Sequence, residues 1–356
     1  MTINLVNYGL NANFEQAGKT AKGLALARVT EQHHNLYRIV TTQGERQATV
    51  AGKFAHENTD PTSFPAVGDW ALVTLSADIA VIHQVLPRQS VLAREAVGDR
   101  KAGQVIAANV DTIFICMSLN ADFNVRRMER YLTMAWDSQA MPVIVLTKAD
   151  LCDDLPAKLA ALSEVSMGVD VIVCSAKTGA GYDKVVAQVP AGRTVAFVGS
   201  SGVGKSTLIN RLMGQTVLAT KTIRADDDKG RHATTFRQLL VLPTGGIVID
   251  TPGMRELQLY TGDLERTFAD IATLATQCKF RNCTHTSEPG CAVQAAIQSG
   301  TLTTERFESY QKLQREMAYD GLNARQREQA KIDRMFGSKN EMKQVVRQAK
   351  AKNNRK

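Results

Sequence analysis

No apolar run in this sequence approaches the roughly 18 residues that a membrane-spanning helix needs. Met1 to Phe14 has no basic stretch followed by an apolar block, so no secretory signal is expected. A disulfide framework is missing as well. Cys116, Cys152 and Cys174 sit in or beside apolar segments and read as buried thiols, while Cys278, Cys283 and Cys291 form a cluster. These absences exclude membrane and secreted classes and predict a cytoplasmic protein. Aromatic residues are only 6% of the chain and are sparse between Gly23 and Gln89, which limits base stacking there. Most of the chain also lacks an excess of either charge. Between Lys312 and Lys356 there are 13 Lys/Arg against 5 Asp/Glu, a surplus equal to the whole net charge of +8. Such a tail is a solvated helix or an arm for a polyanion, and its asymmetry points towards nucleic acid.

What is present is a folded chain of 356 residues with 44% hydrophobic content, enough for two or three domains. Its organising stretch is Gly199-Ser200-Ser201-Gly202-Val203-Gly204-Lys205-Ser206-Thr207, a full match to the phosphate-binding loop pattern. The apolar run Thr194–Val198 before it reads as a buried parallel strand. Leu208, Ile209, Leu212 and Met213 after it recur at helical spacing. An ordinary glycine-rich turn would not need both neighbours. Here the glycines let backbone N–H groups converge on an anion at a helix N-terminus. Lys205 is expected to reach the β- and γ-phosphates and Ser206 to ligate Mg²⁺.

Four further stretches fit a guanine nucleotide. Ile247-Val248-Ile249 leads into Asp250-Thr251-Pro252-Gly253, where Asp250 can serve Mg²⁺ and the Gly253 N–H the γ-phosphate. Thr147-Lys148-Ala149-Asp150 follows an apolar strand and is similar to Asn-Lys-x-Asp. Asp150 can accept from guanine N1–H and N2–H₂, which adenine cannot offer; the Lys148 stem can cover the base. Thr147 stands where the pattern has Asn, and offers a hydroxyl without the reach of an amide. Ser175-Ala176-Lys177 matches the loop that touches the base through a backbone N–H. Gly230-Arg231-His232-Ala233-Thr234-Thr235 reads as switch I, one of whose threonines completes the Mg²⁺ shell.

The motif order is unusual. The two base-reading segments come first and the phosphate loop third, which is a circular permutation of the ordinary GTPase sheet. It ties the segment after Gly253 directly to the C-terminal domain. Ahead of this α/β unit, Leu24–Thr30, Leu36–Thr41, Arg46–Ala51, Trp70–Leu75 and Ile79–Leu86 read as five short strands of an OB-fold barrel. Arg28, Arg38, Arg46 and Lys53 are its candidate phosphate contacts. Residues 1 to about 20 read as a loosely held leader, and Val91–Gln104 as a polar linker. At the other end, Cys278, Cys283, His285 and Cys291 supply a complete tetrahedral Cys₃His set for a structural zinc. Lys279 and Arg281 beside it are further phosphate contacts. Tyr310, Leu313 and Met317 form one apolar stripe of a basic helix, read as packing.

The barrel, the permuted order and the Cys₃His cluster together resemble the RsgA (YjeQ) family of circularly permuted small-ribosomal-subunit biogenesis GTPases, from about Gly23 to the tail. The expected fold is therefore multidomain: a leader and OB-fold barrel over 1–92, a permuted α/β P-loop GTPase domain over 93–262, and a helical zinc-binding domain with a basic tail over 263–356. The resemblance implies GTP hydrolysis stimulated by the 30S subunit late in its maturation. It also implies 16S rRNA contacts through the barrel and zinc domain; a monomer with no membrane partner is expected. A GTP-gated rRNA-binding checkpoint whose hydrolysis only resets it is the alternative; Asp150 disfavours an ATP-dependent kinase or transporter. The family's Gly-x-His-Thr-Thr-Thr is interrupted here by Ala233, which leaves the essential threonine assignable to Thr234 or Thr235, with Thr235 preferred. Met254 occupies the place where many GTPases carry a water-orienting Gln, which leaves His232 as its candidate replacement.

Overall fold

A computed structural model describes residues 2–21, 23–33, 35–76, 78–95, 103–218, 237–251 and 262–318. Its first segment is not loose. A 3₁₀ turn, Leu5–Tyr8, leads into helix α1, Ala12–Thr20, whose N-terminus is capped by the Asn11 side chain accepting from the Asn13 and Phe14 N–H groups. Phe14 stacks on Trp70 with ring centroids 5.5 Å apart, and Leu5 joins the same buried cluster. Two apolar residues in a polar string carry no periodicity; only the tertiary partner orders them.

The five strands of the barrel are β1 (Ala25–Gln32), β2 (Tyr37–Thr41), β3 (Gly44–Val50), β4 (Trp70–Thr74) and β5 (Ala80–Val85), with a short helix α2 (Gly52–Glu57) after β3. They run in the order β1-β2-β3-β5-β4 and close through β1 against β4, with only β3 and β5 parallel. Closure leaves no free edge and turns Ala27, Val29, Ile39, Val73 and Ile82 inward. A bulge between Val29 and Glu31 bends β1. Its last residues, Glu31 and Gln32, stay paired with β2 on one side and pair with the neighbouring sheet on the other.

Arg28 does not face solvent for phosphate, as expected, but is 1% exposed. Its guanidinium donates to the carbonyls of Tyr8, Gly68 and Asn109 and to the Thr194 hydroxyl, and so pins the barrel to the base of the next domain. The expected linker is instead a two-stranded antiparallel ribbon, β6 (Val91–Glu95) with β7 (Gly103–Ala108). Leu92 and Ile106 are buried from it, so alternation outweighs the local charge that suggested a linker.

The α/β unit contains β8 (Thr112–Ser118), α3 (Val125–Asp137), β9 (Met141–Thr147), α4 (Leu155–Ser163), β10 (Asp170–Val173), α5 (Tyr182–Ala187), β11 (Thr194–Val198), α6 (Lys205–Met213), β12 (Arg237–Val241) and β13 (Ile247–Asp250). The sheet order is β10-β9-β8-β11-β13-β12, parallel except for β12. Near-continuous Val, Ile and Phe in β8, β9 and β11 reflects burial on both faces. The antiparallel edge strand β12 then pairs with β1, Glu31 opposite Gln238 and Gln32 opposite Arg237. Four helices follow: α7 (Leu264–Thr267), α8 (Ala269–Ala275), α9 (Ala292–Ser299) and α10 (Thr304–Ala318). The apolar stripe of α10 packs inward, with Tyr310 edge-on to Phe268 at 5.4 Å and Leu313 buried. Among the described residues no helix is long and apolar enough to cross a membrane.

Candidate functional site

From β8 the chain steps outward to β9 and β10, then returns to β11 and proceeds the other way to β13. Strand order therefore reverses between β8 and β11, and the crevice beyond their carboxyl ends is where an open α/β sheet holds its ligand. The loop 199–204 leaves β11 at that point. Gly199, at φ 139°, passes so close to β8 that a Cβ would lie 2.3 Å from the Cys116 carbonyl oxygen. Gly204, at φ 104°, forms the left-handed cap of α6, from which Lys205, Ser206 and Thr207 begin the helix. First-turn N–H groups thus face the loop that encloses Ser200, Ser201, Gly202 and Val203.

Lys205 is buried, and its ammonium donates back to the Gly199 carbonyl at 2.6 Å and the Ser200 carbonyl at 2.8 Å. Burial lowers its pKa, opposed by Cys116 and Asp250. Asp250, at the end of β13, is raised by burial and lowered by Lys205. A buried cation and a buried carboxylate thus share the phosphate end, each favouring the other's charge. The Thr251 hydroxyl donates to the Phe197 carbonyl and ties the segment after β13 to β11.

At the other end, a cavity of about 140 Å³ is lined by Thr147, Lys148, Asp150, Ala176 and Lys177 together with Gly204, Thr207 and Leu208. Both base-reading segments therefore meet the phosphate loop, although both precede it in the chain. The Ser175 hydroxyl donates to Asp150 Oδ1 at 2.5 Å, and that bond first, then Lys177 and Lys148, hold the carboxyl below its ordinary value. Lys148 is left-handed at φ 56°, which turns the chain from β9 towards the cavity. Thr147 is buried, its hydroxyl directed at the Val203 carbonyl of the phosphate loop. His232, Thr234, Thr235 and Gly253 lie outside the described residues.

The metal cluster assembles as its spacing suggests. One donor atom each from Cys278, Cys283, His285 and Cys291 lies within 4.8 Å of the others. Cys278 Sγ is 3.6 Å from His285 Nδ1 and 3.9 Å from Cys291 Sγ, while His285 Nδ1 is 3.4 Å from Cys291 Sγ. A tetrahedral ion with metal–sulfur bonds of about 2.3 Å needs donors about 3.7 Å apart, so the set fits a metal ion. Sequence reasoning missed two supports. Glu288 accepts from the Thr284, Thr286 and Ser287 N–H groups and fixes the loop between ligands. Arg127, on α3, donates to Ser200 Oγ of the phosphate loop at 3.0 Å and to Asp122 at 2.7 Å. Neither residue type announces such a role without the fold around it.

Comparison with known proteins gives the same assignment. A family model described as RsgA GTPase matches residues 85–260. A protein of Lactiplantibacillus plantarum named small ribosomal subunit biogenesis GTPase RsgA 2 is 64% identical over 346 residues, covering 97% of this chain and 98% of its own. The chain belongs to the RsgA GTPase family. It is accordingly an enzyme that hydrolyses GTP. An RsgA of Opitutus terrae is 46% identical over 82% of this chain and 83% of its own. Among solved structures, YjeQ from Thermotoga maritima matches with a TM-score of 0.61 at 26% identity, over 83% of this chain and 99% of that one. The structure of YloQ, described as a circularly permuted GTPase, shares the fold with a TM-score of 0.58 at 24% identity, over 83% and 96%.

Proposed function

We propose that this protein is a cytoplasmic GTPase that acts late in maturation of the small ribosomal subunit, its turnover stimulated by that subunit. The 64% identity across 97% of the chain to a protein named for this role carries the reading. GTP lies with its base between Lys148, Asp150 and the Ser175-Ala176-Lys177 loop and its phosphates in the loop 199–204, with Lys205 on the β- and γ-phosphates. Ser206, Asp250 and Thr235 would hold Mg²⁺, which supplies charge neutralisation on the phosphate oxygens when bound. Water attacks the γ-phosphorus in line with the bond to the β-γ bridging oxygen; Lys205 and the Gly253 N–H stabilise the charge that develops, and His232 orients the water. On this reading His232 takes up that role only when the subunit is bound, so intrinsic turnover is slow.

The Cys₃His set would hold one structural zinc, since three thiolates and an imidazole at tetrahedral spacing suit that ion and leave no open position. Three units carry the reading: the leader and barrel over 1–92, the GTPase unit over 93–262, and the metal-binding unit with its basic tail over 263–356. Barrel, metal unit and tail meet 16S rRNA, so subunit binding falls steeply with salt. The test is single-chain turnover of GTP with and without purified 30S subunits. Stimulation of at least tenfold is expected; equal turnover in both arms would remove the subunit from the reading, and equal affinity for ATP and GTP would remove guanine.

A further inference from the structure

A hydroxyl has one proton to give, and in Thr147 it is spent inside the protein. Thr147 is 4% exposed; its Oγ1 donates to the Val203 carbonyl at 2.5 Å, with the Met117 carbonyl next nearest at 3.4 Å. The Thr147 carbonyl accepts from Leu119 N–H at 2.9 Å, which holds the residue to the end of β8. The side chain also packs beneath the loop, since a Cβ on Gly204 would lie 3.8 Å from Oγ1 and 3.9 Å from Cβ of Thr147. Turning the hydroxyl towards the cavity would leave a buried carbonyl without a donor.

The major-groove edge of guanine offers only acceptors, N7 and O6. An Asn at this place brings two amide protons and a longer arm, so it can serve the loop and the base together. Thr147 can serve only one, and the cavity shows which. We infer that Thr147 is a positioning residue that braces the phosphate loop through Val203, and that this protein binds guanine with no donor from position 147 to N7. Base identity then rests on Asp150, its carboxylate aimed by Ser175 at 2.5 Å, together with the 176–177 loop. The brace joins the strand that carries the base-reading segment to the loop that carries the phosphates, so its loss weakens GDP and GTP alike. This inference rests on the proposal that guanine nucleotide occupies the cavity.

Equilibrium binding of GTP, GDP, ATP and 7-deaza-GTP (which has a carbon in place of N7) tests it on the unmodified protein. GTP and 7-deaza-GTP bind within about twofold of each other, since one hydrogen bond of about 1 kcal/mol would separate them by more. A fivefold or greater preference for GTP overturns the inference, even with guanine nucleotide binding intact. Failure to prefer GTP over ATP strikes the guanine reading itself, and the inference falls with it. Thr147→Val, nearly isosteric, lowers GTP and GDP affinity by a common factor of about ten and leaves the GTP to 7-deaza-GTP ratio unchanged, while Thr147→Ser recovers most of the loss. A change in that ratio, or a loss for one nucleotide only, goes against a brace. The comparison on unmodified protein decides the question if the valine variant does not fold.

Discussion

Arg28 and Arg306 are 1% and 3% exposed, and each joins the GTPase unit to a neighbour, yet their surroundings are opposite. The hydrogen bonds of Arg28 all go to neutral oxygens: three backbone carbonyls and the Thr194 hydroxyl. Burial pulls its pKa down to about 10, with Asp111 and Asp69 opposing from a distance. Arg306, on α10, meets carboxylates: Glu129 of α3 at 2.7 Å and both oxygens of Asp270 at 2.7 and 2.9 Å, besides the Thr267 carbonyl. Burial alone would lower its pKa, but Asp270 and Glu129 outweigh it and the pKa is raised. Glu129, fully buried, accepts in addition from Arg126 and Ser309. The barrel joint is thus a backbone joint, continued by the β1–β12 ladder, whereas the C-terminal joint is a side-chain network. A ladder holds one register or none; a network of ion pairs can be released and remade as helices shift.

The largest expected effect follows from the metal cluster, because the C-terminal unit has such a network and, among its described residues, no strand to hold it. Strong chelation, or Cys283→Ala, should expose roughly residues 265–300 to limited proteolysis, the barrel and the phosphate loop staying protected and GDP still bound. Structural zinc contributes on the order of 10 kcal/mol to folding of small units, far more than any single contact here. An unchanged proteolytic pattern after complete metal removal would show that the side-chain network suffices alone.

Next in size are the two arginines themselves, each replaced by Met to keep its volume. Arg306→Met leaves Glu129 buried with only Arg126 and Ser309 as donors, which should cost about 3 kcal/mol. Arg28→Met leaves carbonyls without donors but no unpaired charge, and should cost about 1–3 kcal/mol. Denaturant melts of both variants compare the two joints directly. A greater loss at Arg28 would mean that the backbone joint dominates stability, contrary to the charge argument.

How much of this was legible beforehand depended on whether chemistry or context dictates a residue. Phosphate loop, Asp150 segment and Cys₃His cluster were readable because each needs fixed residue types at fixed spacing, and the barrel because its strands alternate. Arg28 looked like a phosphate contact, since nothing local distinguishes a solvent-facing arginine from one whose strand neighbours face a second domain. Glu129 and Arg306 are 177 residues apart and carry no signature of each other. Thr147 was noticed as a departure from Asn, but its meaning depended on Val203, 56 residues away. The leader and the β6–β7 ribbon were missed for the related reason that their order comes from Trp70, α3 and one another.

The smallest effect tests whether burial, and not the number of ion pairs, makes the C-terminal joint. Arg130 and Glu316 form a bidentate pair between α3 and α10, with contacts of 2.5 and 2.6 Å. Their side chains remain 22% and 28% exposed, against 4% and 0% for Arg306 and Glu129. Water therefore competes for both charges, and holding two long side chains in one geometry costs entropy. A double-mutant cycle with Arg130→Ala and Glu316→Ala should give a coupling of about 0.2–1 kcal/mol. Raising salt from about 0.1 to 1 M shortens the screening length from roughly 10 to 3 Å and should erase most of that coupling. The corresponding cycle at Glu129 and Arg306 should barely respond, because ions do not enter a dry contact. Equal couplings with equal salt dependence would mean that both pairs are solvated when the domain is docked, and α3 and α10 would then be held by their apolar faces alone.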